Sequence, residues 1–235
     1  MKRFLLATLL FLWGVTALAQ ECVVLLHGMA RTERSMSKLD VELTKEGYFV
    51  VNYGYPSTSL DIEDIATSHI PKAVLQCNGA APVNFVTHSL GGIVLRKYLM
   101  GHKPESLGRV VMLGPPNQGS EVVDTLKNVP GFEFVNGPAG MQLGTGKDSV
   151  PNSLGPVTYP VGVIAGSSTI NPILSQMLPN PDDGKVSVER TKVEGMSDHL
   201  IVPVSHPFLM RNSEVIAQVK SFLKKGKFLR SEGQL

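Results

Sequence analysis

Neither a His-Glu-x-x-His run nor a pair of closely spaced cysteines occurs in the 235 residues. The usual zinc ligand sets are therefore missing, and no metal or other cofactor is expected. A phosphate-cradling loop is missing as well. Gly140 to Lys147 comes near one, but its spacing is off by one residue and Asp148 stands where a hydroxyl is required. Charge of one sign is not in excess either. Setting aside Lys2 and Arg3 leaves 20 basic residues against 20 acidic ones, so a nucleic-acid partner is not indicated. The basic tail, with Lys224, Lys225, Lys227 and Arg230, reads as a solvated end.

The first 19 residues have the three parts of an export signal. Lys2 and Arg3 form a charged start, Phe4 to Leu12 an apolar run, and Ala17-Leu18-Ala19 a small-residue cleavage site. Thr8, Gly14 and Thr16 interrupt the apolar stretch, which argues against a membrane anchor, and Glu21 before Cys22 argues against lipoprotein processing. The expected mature chain, residues 20–235, is of a length that suits one domain, secreted or periplasmic, with no stable membrane span.

Six short apolar runs rich in branched residues alternate with helix-like segments: Val23 to Leu26, Tyr48 to Tyr53, Val83 to Thr87, Arg109 to Leu113, Tyr159 to Ala165 and Leu200 to Val204. Continuous rather than alternating apolarity suits strands covered on both faces, so the fold class is α/β, an open, mostly parallel six-stranded sheet with helices on both faces. Ile62, Ile65, Ala66, His69, Ile70, Ala73 and Val74 recur at helical spacing, with Pro71 set to kink or split the helix and His69 on its packing stripe. Val215, Ile216, Val219, Phe222 and Leu223 mark a last helix, expected over the final strand. Six glycines and three prolines make residues 131–156 too irregular for a buried element, so they read as a surface loop or a lid. Two cysteines in an exported chain invite pairing. If the first and third strands are parallel neighbours, Cys22 and Cys77 share the lower sheet edge, and a disulfide between them is expected.

The third run ends in Thr87-His88-Ser89-Leu90-Gly91-Gly92, a strand passing into a serine flanked by small residues. A sharp strand-to-helix turn there lifts the hydroxyl above the sheet and points free helix N–H groups at whatever it attacks. Ser-x-Gly also begins ordinary helices, where serine only caps the first turn. The segment resembles the nucleophile elbow of the α/β-hydrolases, whose pattern is Gly-x-Ser-x-Gly. Thr87 replaces the first glycine, and its side chain fits only if the elbow opens slightly.

That resemblance extends along most of the chain and is nearest to small secreted lipases and esterases. It implies a minimal α/β-hydrolase without the family's two leading strands, and an acid and base in the order Ser, Asp, His. His206 follows the last strand and precedes the final helix, at the catalytic edge. His199 starts that strand, His88 adjoins the serine and points elsewhere, His27 belongs to another motif, and His102 follows a helix. Pro181-Asp182-Asp183-Gly184-Lys185-Val186 resembles the Asp-Gly-x-Val turn of secreted lipases, which selects Asp183 over Asp182. Asp198 and Glu194 remain alternatives, both near the lower edge. His27-Gly28-Met29 resembles the lipase His-Gly loop, so the backbone N–H groups of Met29 and Leu90 would form the oxyanion hole. Gly114 to Ser120 is similar to a lipase segment that shapes the pocket wall. Ser120, Ser167 and Ser168 lack an elbow and are not rival nucleophiles. Tyr55 is either an acyl-groove aromatic or a plain exposed one.

The implied function is a secreted serine carboxylic-ester hydrolase acting on an ester or lipid through Ser89, His206 and Asp183. Acyl transfer to an alcohol, cleavage of an amide or thioester by the same triad, and an inactive binding module of the same fold are the alternatives.

Overall fold

The structure, a computed structural model, describes residues 20–102 and 104–230; the expected export signal at residues 1–19 lies outside them. The apolar runs form strands β1 (Cys22–Leu26), β2 (Phe49–Tyr53), β3 (Val83–His88), β4 (Leu107–Leu113), β5 (Val161–Gly166) and β6 (Asp198–Val202). They make one sheet in the order β2-β1-β3-β4-β5-β6. Every neighbouring pair is parallel. The fourth strand begins two residues earlier than its apolar run, taking in Leu107 and Gly108, and the sixth both begins and ends two residues earlier, taking in Asp198 and His199 and stopping before Pro203.

Helices cover both faces, which explains the lack of alternation. On one side, Val23, Leu25, Val86, Val111 and Ile164 pack against Leu39 and Leu43 of α1 (Ser37–Lys45) and against Val215, Val219 and Phe222 of the last helix, Ser213–Lys225. On the other, Val24, Leu26, Phe85, Val110 and Val163 meet Ile62 and Ile65 of α2 (Ile62–Ser68), Ile70 and Ala73 of α3 (Ile70–Leu75), and Ile93 and Val94 of α4 (Leu90–Gly101). Pro71 splits α2 from α3, as the pattern suggested. Asp61 caps α2, accepting a hydrogen bond from the Asp64 amide at 2.8 Å.

Two expectations need correction. The last helix lies over β4 rather than β6, and Arg109 at the start of β4 donates to the Leu223 carbonyl at its end. Its apolar face matches the sheet centre, where burial is greatest. Residues 131–156 are not merely irregular. They hold α5's successors: α5 is Glu121–Leu126, α6 is Phe132–Met141 and α7 is Val150–Ser153, and Ala139, Leu143 and Leu154 are buried. Gly137, with φ 65°, and Pro138 break α6 into two pieces, which is why no helical period was visible.

Cys22 and Cys77 are joined, with Cα atoms 5.7 Å apart, below the paired starts of β1 and β3. Among the described residues, no helix is long and apolar enough to cross a membrane.

Candidate active site

Ser89 joins β3 to α4 with φ 53° and ψ −123°, a backbone state that few residues other than glycine adopt. Its amide still bonds to the Leu113 carbonyl of β4 at 2.9 Å, so the turn is braced from the neighbouring strand. Thr87, the departure from the family pattern, is buried beside Gly92: a Cβ on Gly92 would lie 3.3 Å from its hydroxyl. The missing side chain at 92 makes room for the extra one at 87. The Leu90 amide is the first of α4 and has no partner within the helix.

His206 stands just beyond β6, and its Nδ1 lies 2.7 Å from Asp183 Oδ2. Both are buried, Asp183 at 1% and His206 at 7% exposure. A carboxylate can only accept here, so Nδ1 carries a proton. Asp183 Oδ1 accepts from the amides of Lys185 at 3.0 Å and Val186 at 2.9 Å, and the Asp183 carbonyl takes the His206 amide at 3.0 Å. The acid is therefore clamped from both sides. Asp182 is used otherwise, accepting from Ser175 Oγ at 2.6 Å and the Gly184 amide at 2.7 Å. Asp198 accepts from the His199 and Phe228 amides at 2.9 Å, and Glu194 is exposed.

The loop after β1 reaches the same place. A Cβ on Gly28 would sit 3.1 Å from Ser89 Cβ, so only glycine lets the loop pass this close. His27 Nδ1 lies 2.8 Å from the Gly28 carbonyl, and its Nε2 lies 3.2 Å from the Tyr55 amide. A carbonyl accepts and an amide donates, so Nδ1 is protonated and Nε2 is not. Because C=O and N–H point oppositely across a trans peptide, holding the Gly28 carbonyl turns the Met29 N–H away from His27. Burial lowers the His27 pKa below its ordinary value, which keeps this tautomer neutral.

Tyr55 is neither an exposed aromatic nor an acyl-groove residue in the sense expected. It is buried, stacks on the His27 ring at 4.1 Å, and donates its hydroxyl to the His27 carbonyl. His88 also differs from the sequence reading. It points toward the other groups: its Nε2 donates to the His206 carbonyl at 3.1 Å, and the two rings lie 4.8 Å apart. Adjacency to a serine gave no signal of this, because the contact depends on where residue 206 returns. Burial, followed by the neighbouring His206, pushes the His88 pKa well below the ordinary value.

Ser89, His88 and His206 share a cavity of about 250 Å³ with Met29, Phe132, Leu143 and Val186. Its size falls near the lower end of ligand pockets, roughly 300 to 1,000 Å³. The Ser89 hydroxyl makes no hydrogen bond to another described residue. Ser120 also lines the cavity, but its hydroxyl donates to the Lys185 carbonyl at 2.7 Å and caps α5. Among the described residues, no cluster of three or more His, Cys, Asp or Glu side chains could hold a metal ion.

No protein-family model matches the chain. A triacylglycerol lipase of Pseudarthrobacter phenanthrenivorans is 26% identical over 117 residues, covering 46% of this chain and 36% of that protein. A triacylglycerol lipase of Burkholderia plantarii matches at the same identity and covers 32% of its own length. The chain thus matches about a third of these relatives. Among solved structures, a Bacillus licheniformis lipase in its mature form superposes with TM-score 0.67 at 16% identity, over 89% of this chain and 93% of that one.

Proposed function

We propose that this chain, which has the α/β-hydrolase fold, is a serine carboxylic-ester hydrolase with Ser89 as nucleophile, His206 as base and Asp183 as orienting acid. The observation that carries the reading is the His206–Asp183 hydrogen bond, at 2.7 Å, beside the cavity that Ser89 lines. Ser89 Oγ attacks the ester carbonyl carbon while its proton passes to His206 Nε2. The negative charge that develops on the carbonyl oxygen is met by the N–H groups of Met29 and Leu90. Collapse expels the alcohol, which takes the proton from His206, and leaves an acyl group on Ser89. Water then attacks that ester with His206 again as base, releasing the carboxylic acid and restoring the serine.

The lipase and esterase names among the similar proteins support an ester or lipid substrate. The Cys22–Cys77 disulfide supports an exported protein. The test is hydrolysis of a short-chain ester by the wild type and Ser89→Ala, with folding checked by circular dichroism. Loss of at least about a thousandfold in kcat is expected; a folded Ser89→Ala protein that retains its activity overturns the reading.

A further inference from the structure

Beside the Ser89 cavity runs a second, more open groove of about 690 Å³, and the two share Ala30, Arg31 and Val135. The charged residues of the groove are Arg31, Arg34 and Arg211, and those of the cavity, apart from its histidines, are Arg31 and Lys185. No carboxylate lines either space. None of the four cationic side chains forms an ion pair with a described residue. Nor does any of them donate a side-chain hydrogen bond to one. Neither Glu33 nor Asp183 forms an ion pair with these cations. Glu33 lies against Gly54, where an added Cβ would stand 2.7 Å from its Oε2, and both oxygens of Asp183 are already taken.

Arg31, Arg34, Lys185 and Arg211 are all exposed, so water screens their mutual repulsion, but together they give the opening a charge of one sign in an otherwise charge-balanced chain. The arrangement becomes favourable once an anion sits among them, and guanidinium groups suit the paired oxygens of a phosphate. Ser57 and Thr58 add hydroxyl groups to the same groove. Desolvation, followed by the Arg31 charge, lowers the Lys185 pKa, and the Asp183 charge opposes that shift. The apolar walls of the smaller cavity, including Val122, Val123 and Phe132, suit an acyl chain.

We propose that Arg34 and Arg211, with Arg31 at the junction and Lys185 on the wall of the Ser89 cavity, bind a phosphate carried by the alcohol portion of the ester whose acyl chain enters that cavity. This rests on the ester-hydrolase reading and narrows its substrates to phosphate-bearing esters, whether lipid or water-soluble.

Two measurements test it separately from that reading. In the first, kcat/KM is compared for dibutyryl phosphatidic acid and dibutyrylglycerol, both as monomers. A preference of at least about tenfold for the phosphate ester is expected, falling to near unity in Arg34→Gln/Arg211→Gln. Equal rates on the two esters, or an unchanged ratio in the double variant, overturn the proposal while leaving ester hydrolysis intact. In the second, glycerol phosphate and inorganic phosphate are titrated calorimetrically into Ser89→Ala, where no turnover is involved. Saturable glycerol phosphate binding that weakens about tenfold or more when Arg34 and Arg211 are also replaced supports the site even if no ester is cleaved. No binding at millimolar concentration, or binding of inorganic phosphate alone, overturns it. If it holds, the same phosphate ester in vesicles and in monomeric solution distinguishes a lipid source from a soluble one.

Discussion

His27 makes hydrogen bonds that work only while its ring is neutral, because protonation would turn its Nε2 acceptor into a donor facing the Tyr55 amide; His88 keeps its bond to the His206 carbonyl in either state, and it is burial that disfavours its charged form. Both folded pKa values lie below the ordinary histidine value of 6.5. The unfolded chain therefore binds protons first as pH falls. The histidine contribution to stability is complete above that value and declines as pH drops through it toward the depressed folded values. His69 and His199 are lowered too and act in the same direction. The urea midpoint is expected to fall between about pH 7 and pH 5, with a shallower slope in His88→Gln. A midpoint that is flat over this range contradicts the assignment of neutral rings. At Gly114, with φ 54°, an added Cβ would lie 3.0 Å from Asp183 Oδ2 and 3.1 Å from His206 Nδ1. Gly114→Ala should displace the pair and lower kcat by about a hundredfold with KM less affected, as steady-state kinetics would show.

At the scale of elements, Arg96 of α4 is a buried cation that binds carbonyls rather than an acid. It donates to Asn117 O at 2.9 Å, Asn117 Oδ1 at 3.2 Å and Gly155 O at 2.7 Å, while Asn117 reaches Thr191 O at 2.8 Å. Burial pushes its pKa down to about 10. Arg96→Met removes these donors and leaves buried carbonyls unpaired, so a loss of about 3 kcal/mol is expected from urea unfolding. The centre of the sheet was legible in the sequence because β1, β3 and β5 are buried throughout, which leaves unbroken apolar runs. Ser89 and His206 could be nominated because each follows a strand, where a parallel sheet collects its functional ends, and Asp183 because its turn resembles that of secreted lipases. His88, Tyr55 and Arg96 could not, because each acts on backbone carbonyls supplied by distant segments, and a carbonyl carries no residue identity. Helix α6 stayed hidden because Gly137 and Pro138 interrupt its period.

For the whole molecule, the order of strands separates stability from chemistry. The disulfide closes a 55-residue separation at the lower edge of β1 and β3, while Met29 and Ser89 leave the upper ends of those strands. Chain entropy gives such a loop about 4 kcal/mol, so Cys22→Ala/Cys77→Ala should shift the urea midpoint strongly. The folded fraction should keep its turnover rate, because the link touches none of the proposed catalytic groups. An unchanged midpoint, or a lost rate in fully folded protein, contradicts that separation. The central claim is that Ser89 alone is made nucleophilic, and labelling the folded protein with a fluorophosphonate, followed by peptide mass mapping, tests it most directly. The account predicts one adduct, on Ser89, that is much slower to form in His206→Ala. An adduct on Ser120, Ser167 or Ser168 instead, or no adduct on the folded protein, would contradict it.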